Sequence, residues 1–234
     1  MECSLNWKEI RSAVGSCIRP GGLALTERAL EICDLSRGSR IADIGCSTGE
    51  TMEYLVRTGI HHVVGLDYSG SLLREITVPV LQGRLVNAQA EILPFKKGSF
   101  DALFCECVLS ILTDRLAALN EFARTLKQGA FLIASDLFDR TYSDQNLPEP
   151  RSHTILTDRL LTKGNLLRVL TRLGFSILLW EEHKQILIDF VARMILAGTR
   201  LPDQWRRMMG QERKTDRLKI SYFLLVAKKT GAAI

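Results

Sequence analysis

The sequence predicts a three-layer α/β fold, a mainly parallel sheet covered by helices on both faces. Two observations carry this. Short apolar runs of strand length alternate with helix-period stretches from about residue 40 onward. A chain of 234 residues, 46% of them hydrophobic, can bury one sizeable core.

The first strand is expected at residues 40–44, the second at 62–67, the third at 84–86, the fourth at 100–105 and the fifth at 129–135. Between them lie helix-like stretches at about 48–58, 70–76 and 114–126, so right-handed crossovers bury the sheet on both sides. Leu23, Leu25, Ala29, Leu30 and Cys33 recur at helical spacing and predict a covering helix ahead of the first strand. After Ser135 a polar, proline-bearing loop runs from Asp139 to Thr154, and a helix near 163–173 stops at Gly174 as a C-terminal cap should. Two late strands, 175–180 and 218–227, flank an insert at about 184–217 whose apolar helix, 185–197, needs cover from a lid, a substrate wall or a second copy of the chain. The reading is one domain over 1–234: a helical cover (1–38), a ligand-binding core (39–136) and a substrate side (137–234).

Composition narrows the function. No run reaches the 18 or so uncharged apolar residues a bilayer span takes, and the first residues lack the apolar core of a signal peptide, so a cytoplasmic location is expected. Six dispersed cysteines, with no CxxC pair, are expected to be reduced thiols. The formal charge is +5, and residues 184–217 hold eight Lys or Arg against four Asp or Glu. Without a nucleic-acid motif or a dense basic run, that excess is expected to be a solvated face.

The chemistry starts at Asp43-Ile-Gly-Cys-Ser-Thr-Gly49, a glycine loop that follows a strand and opens a helix. There a ligand meets free backbone N–H groups at a positive helix end. Asp67 stands at the end of the second strand, 18 residues beyond Gly49, where an acid can accept both hydroxyls of a ribose. Together the two features point to an adenosine-type ligand. Gly45-Cys-Ser-Thr-Gly49 also fits the G-x-S-x-G elbow of a serine hydrolase, whose later histidine would have to be His153 or His183.

Four segments in order, Ile41–Gly49, Val63–Ser69, Ala90–Phe95 with Ser99–Asp101, and Leu126–Leu132, resemble the class I S-adenosylmethionine-dependent methyltransferases. The combination is similar to their small-molecule branch, the UbiE and arsenite methyltransferase-like enzymes. That resemblance implies a Rossmann-like, seven-stranded sheet with an antiparallel last strand, S-adenosyl-L-methionine as cofactor and a small-molecule acceptor. It implies that Asp43, Gly45, Cys46 and Gly49 hold the methionine part, that Asp67 binds the ribose hydroxyls and Tyr68 lies against the adenine, with Gln89, Ala90 and Glu91 at the adenine end. Ser47 stands where many members have glycine, and Gln89 where many have aspartate. An NAD-dependent oxidoreductase shares the strand, glycine loop and ribose acid, and a non-catalytic cofactor-binding protein remains a further alternative.

The heptapeptide Phe104-Cys-Glu-Cys-Val-Leu-Ser110 follows at the carboxyl end of the fourth strand, where open α/β sheets bind ligands. Glu106 is the candidate catalytic residue, as a positioning group or a base. Alternation sets Cys105 and Cys107 on one face if the strand is still extended there, and no local spacing supplies the further ligands a metal would need. Arg19, Cys107 and Ser110 are the substrate-side candidates, with Arg19 also able to reach the cofactor's carboxylate. The expected partners are a small acceptor and, through the insert, a homodimer; nucleic acid, metal and a membrane span are not expected.

Overall fold

A computed structural model of the protein describes residues 15, 18–140, 161–198 and 220–231. The chain enters through α1 (Leu23–Leu30) and then alternates β1 (Arg40–Ile44), α2 (Glu50–Arg57), β2 (His62–Asp67), α3 (Gly70–Glu75) and β3 (Leu85–Asn87). It continues through β4 (Phe100–Glu106), α4 (Arg115–Thr125), β5 (Leu126–Asp139), α5 (Lys163–Arg172), β6 (Phe175–Glu182), α6 (Lys184–Leu196) and β7 (Ile220–Lys229). The seven strands form one sheet in the order β3-β2-β1-β4-β5-β7-β6. Strands β1 to β5 pair in parallel, whereas β7 runs antiparallel to both β5 and β6. The antiparallel last strand implied by the resemblance is therefore present.

A core lies on each face of the sheet. One face packs α1 (Leu25, Ala29), α2 (Met52, Leu55) and α6 (Leu187, Phe190, Met194) against Ile41, Phe104, Ile133 and Tyr222. The opposite face packs α4 (Ala118, Leu119, Phe122) and α5 (Leu166, Leu170) against Ile44, Leu103, Leu132 and Phe223. Strands buried on both sides explain why their sequences read as continuous apolar runs.

The observed strand bounds match expectation at β1 and β2, and depart from it most at β5. That strand starts at Leu126, directly after α4, and runs to Asp139. A register shift opposite Phe100 and Ala102 accommodates the Lys127-Gln-Gly129 stretch at the start of the strand. The proline loop lies outside the described residues beyond Arg140, as does the insert from 199 to 219.

Gly174 shows how the last strands are joined. Its φ is +83°, and a Cβ there would lie 2.0 Å from the Gly231 carbonyl oxygen. A left-handed side chain is strained, and main chain cannot rotate aside as a side chain can. Gly174→Ala is expected to cost about 2 kcal/mol, lowering Tm by roughly 4–8 °C in a thermal scan.

Candidate functional site

The strand order reverses between β1 and β4, so the carboxyl ends of these neighbours bound a crevice. Ile44 stands beside Cys105 in register, which brings Asp43 and Glu106 to the same end of adjacent strands. Both acids are buried, at 3% and 7% exposure. Asp43 receives no hydrogen bond from the described residues, and burial, followed by the charge of Glu106, pushes its carboxyl up to about 8.

Glu106 is by contrast fully engaged. Thr26 of α1 donates to its Oε1 at 2.9 Å, Thr51 of α2 donates to its Oε2 at 2.8 Å, and Arg19 pairs with Oε2 at 3.0 Å. Arg19 Nη2 also donates to Thr26 Oγ1 at 2.8 Å. One carboxylate therefore ties the segment before α1, α1 itself and α2 to the end of β4. Both oxygens are committed, which suits a group that fixes positions better than one that removes a proton.

The glycine loop follows β1. Gly45 and Gly49 have φ of +74° and +80°; a Cβ on Gly45 would lie 2.2 Å from Val108 Cγ2, and one on Gly49 would lie 2.8 Å from Leu81 Cδ1. Both glycines are thus demanded by packing as well as by backbone conformation. Gly49 is the N-cap of α2 and provides no side-chain cap, so the first N–H groups of that helix are left for another acceptor. Cys46 turns its side chain into the core, where its Sγ closes on Gly65, so only its main chain faces the loop.

Asp67 closes the other side. It is 9% exposed, its Oδ2 accepts the Ser47 N–H at 2.8 Å and its Oδ1 accepts the Ser69 N–H at 2.8 Å; burial raises its carboxyl above the ordinary range. Each oxygen keeps a lone pair for a ligand. Tyr68 next to it is 66% exposed, an aromatic face without cover among the described residues. Asn87, at the end of β3, donates to the carbonyls of Asp67 and Tyr68 at 2.9 and 2.8 Å and holds that corner in place. Across from it Gln89 is exposed, Ala90 is buried and Glu91 lies between these extremes, its Oε1 3.5 Å from the Asp114 N–H.

Cys107 departs from strand geometry. Its φ is +58° and the strand ends at Glu106, so the condition for placing both cysteines on one face fails. Cys105 lies in the core on the α4 and α5 side, while Cys107 packs on the opposite side. Its Sγ sits 3.0 Å from Tyr222 Oη, which in turn lies 3.1 Å from Ser135 Oγ. Burial and the Asp136 charge hold both thiols well above the ordinary range, so they are neutral. Ser110 donates its N–H to Asp136 Oδ2 at 2.8 Å, and Arg115 donates to the Leu109 and Ser110 carbonyls at 2.6 and 3.1 Å, fixing the turn after β4. No cluster of three or more metal-ligating side chains occurs among the described residues.

The structure thus brings Arg19, Asp43, Gly45, Gly49, Asp67, Tyr68 and Glu106 around the carboxyl ends of β1, β2 and β4. Sequence reasoning missed Thr26, Thr51, Asn87, Arg115, Asp136 and Tyr222. An acid directly after an apolar run, as at Asp136, was the one available signal; the others are polar residues whose partners are distant in sequence. The hydrolase reading gains no support, since Ser47 Oγ bonds to none of the described residues and His183 lies 3.3 Å from Glu181. His153 lies outside the described residues.

Residues 42–134 match a family described as Methyltransferase domain. The chain is 29% identical over 165 residues, 66% of its own length and 72% of the relative's, to the O-methyltransferase rstn1 of Aspergillus nomiae. Its fold superposes on the 4+2 cyclase SpnF with a TM-score of 0.74, at 21% identity over 95% of this chain and 92% of that one. It also superposes on phosphoethanolamine N-methyltransferase 2 of Haemonchus contortus in complex with S-adenosyl-L-methionine, with a TM-score of 0.69, at 18% identity over 96% of this chain and 56% of that one. At these identities the two structures speak to the fold alone.

Proposed function

We propose, from the premise that this chain is a class I S-adenosylmethionine-dependent methyltransferase, that it methylates an oxygen of a small organic acceptor held over the carboxyl ends of β4 and β5. The family match over residues 42–134 carries the premise. The oxygen acceptor is supported by the likeness to an enzyme named as an O-methyltransferase.

The residues present fit the cofactor. Asp43 is a buried carboxylate that meets no donor among the described residues, Asp67 keeps one lone pair free on each oxygen, Tyr68 offers an uncovered ring and the α2 N-terminus lacks a side-chain cap. In this reading Gly45, Gly49, the Cys46 main chain and Asp43 hold the amino-acid end, Asp67 the ribose, and Tyr68, Gln89, Ala90 and Glu91 the adenine. When bound, the cofactor supplies an electrophilic methyl group on a sulfonium. What the protein contributes is alignment and exclusion of water. Asp43, Asp67 and Glu106 bring acidic character to a site that receives a cation, and Glu106 holds Arg19 and the N-terminal cover over it.

Glu106 is accordingly assigned a positioning role. Arg19, Cys107 and Ser110 are assigned to the acceptor side, with the Arg19 guanidinium also within the set of groups that can meet the cofactor's carboxylate. We further propose that the protein is one domain that acts in the cytoplasm. No helix among the described residues is long and apolar enough to cross a membrane. Ile195 and Leu196, exposed at 62% and 87% at the end of α6, support a dimer contact through the insert.

A transfer assay with methyl-labelled S-adenosylmethionine against phenols, enols, aliphatic alcohols, thiols, amines and total RNA tests the acceptor. Label is expected in a small oxygen acceptor, and label found in RNA alone would overturn the reading. Calorimetry is expected to show binding of S-adenosylmethionine and S-adenosylhomocysteine and none of NAD.

A further inference from the structure

A cavity of about 420 Å³ opens at the amino end of the sheet, away from the crevice, and is lined by Gly38, Arg40, His62, Val63, Val64 and Phe100. Its origin lies in the crossovers. The β1–β2, β2–β3 and β4–β5 connections each carry a helix, whereas residues 88–99 between β3 and β4 carry none. Ala90, Leu93 and Phe95 of that connection pack on the α4 side of the sheet, but coil covers less of a parallel sheet than a helix does. The amino ends of β1 and β2 are left open there.

Strand alternation decides what faces the opening. Arg40 shares a face with Ala42 and Ile44, and His62 with Val64 and Leu66, the face that packs with Phe100. Arg40 stands beside His62 in register. Both side chains are exposed, so an incoming ligand can reach them, and neither hydrogen-bonds to the described residues. The nearby acid is already engaged: Asp101 accepts from Lys127 Nζ at 2.8 and 2.9 Å and from the Arg40 N–H at 2.9 Å. Arg84 directly precedes β3 and Lys96 and Lys97 precede β4, so the strand starts are basic. Below the two polar heads the floor is apolar, with Val64 half-buried and Phe100 backed edge-on by Phe95 at 4.9 Å.

We propose that this cavity is a second ligand site, for a small organic anion with an apolar body. Arg40 and His62 take the anionic head, and Val64 and Phe100 take the body. An arginine fork receives carboxylate and phosphate alike, so the head group is defined by its charge. The length of β1 separates Arg40 from Ile44 at the crevice by about 13 Å, which sets the site apart from methyl transfer.

The test is an NMR titration of the full chain with phenylacetate, phenyl phosphate, benzyl alcohol and inorganic phosphate. It is read from the imidazole signals of the four histidines, with His62 identified by its loss in His62→Gln. At least one aryl anion is expected to shift the His62 signals with a Kd of about 1 mM, and the tighter of the two names the head group. Arg40→Ala, a change at an exposed side chain, is expected to keep its Tm and to bind that anion about tenfold more weakly. Saturating S-adenosylhomocysteine is expected to leave the anion's Kd unchanged. No shift at His62 with either aryl anion, an Arg40→Ala Kd equal to wild type, or displacement by S-adenosylhomocysteine would each overturn the proposal. Benzyl alcohol or inorganic phosphate binding as tightly as the aryl anions would equally overturn it, by removing the charge or the apolar body from recognition.

Discussion

Asp67→Ala is expected to raise the Kd for S-adenosylhomocysteine by about a hundredfold or more while leaving a folded protein. Two hydrogen bonds from a ribose to a carboxylate are charge-assisted, each about 1.5–3 kcal/mol. Losing both amounts to about 3 kcal/mol at the low end, which is a factor of about 100 in affinity. The Ser47 and Ser69 N–H groups lose their acceptor in the same variant, so the loop loses its order as well as its charge. A folded variant with an unchanged Kd would remove Asp67 from the site.

Glu106→Ala is expected to have the largest effect on stability. Thr26, Thr51 and Arg19 all converge on this carboxylate, whose side chain is 3% exposed against 12% for Arg19. Removing one partner of a buried ion pair costs about 3–5 kcal/mol, because the other charge stays behind without its counter-charge. A Tm lower by roughly 10 °C is expected from a thermal scan, and a change within error would show that Glu106 ties nothing together.

The isosteric Glu106→Gln separates charge from shape through Asp43. Burial is the main cause that raises the Asp43 carboxyl to about 8, and the Glu106 charge is the next. An unfolded aspartate titrates near its ordinary value of about 3.9, so the folded state holds this proton more tightly. Its contribution to stability is therefore greatest at low pH and falls as pH rises from about 4 to about 8, at roughly 1.4 kcal/mol per pH unit. In Glu106→Gln that window is expected to end at a lower pH, measured by urea unfolding across the range. With the cationic cofactor bound beside Asp43, as proposed, the ionised form would be favoured, so proton release near pH 7 is expected when calorimetry is repeated in buffers of different ionisation heat.

What the sequence disclosed was what local pattern can encode. Apolar runs bounded by turn residues located β1 and β2 to the residue, because burial on both faces leaves an unbroken apolar signature. The glycine loop and Asp67 were legible for a different reason: their spacing in the chain is the spacing of the turn and the neighbouring strand. Cys107 was not, since nothing local predicts a left-handed cysteine; Ser135 and Tyr222, 28 and 115 residues further on, hold it there. Thr26 and Thr51 read as ordinary helix residues, although each donates to a carboxylate 80 or 55 residues away. The length of β5 was not legible at either end: expected from Gly129 to Ser135, it runs from Leu126 to Asp139, because pairing with β7, far away in sequence, carries it past the polar Asp136.

The order of strands carries a consequence for synthesis. Among the described residues β6 has β7 as its only neighbour in the sheet, and β7, made after both β5 and β6, wedges between them. As the chain leaves the ribosome, β1 to β5 can close into a parallel sheet while β6 waits without a pairing partner and β5 offers an open hydrogen-bonding edge. Zipping β7 against both edges closes contacts far apart in sequence, which makes it a slow step. Until it is complete, the nascent protein carries an apolar strand edge of the kind that chaperones shield and that drives self-association.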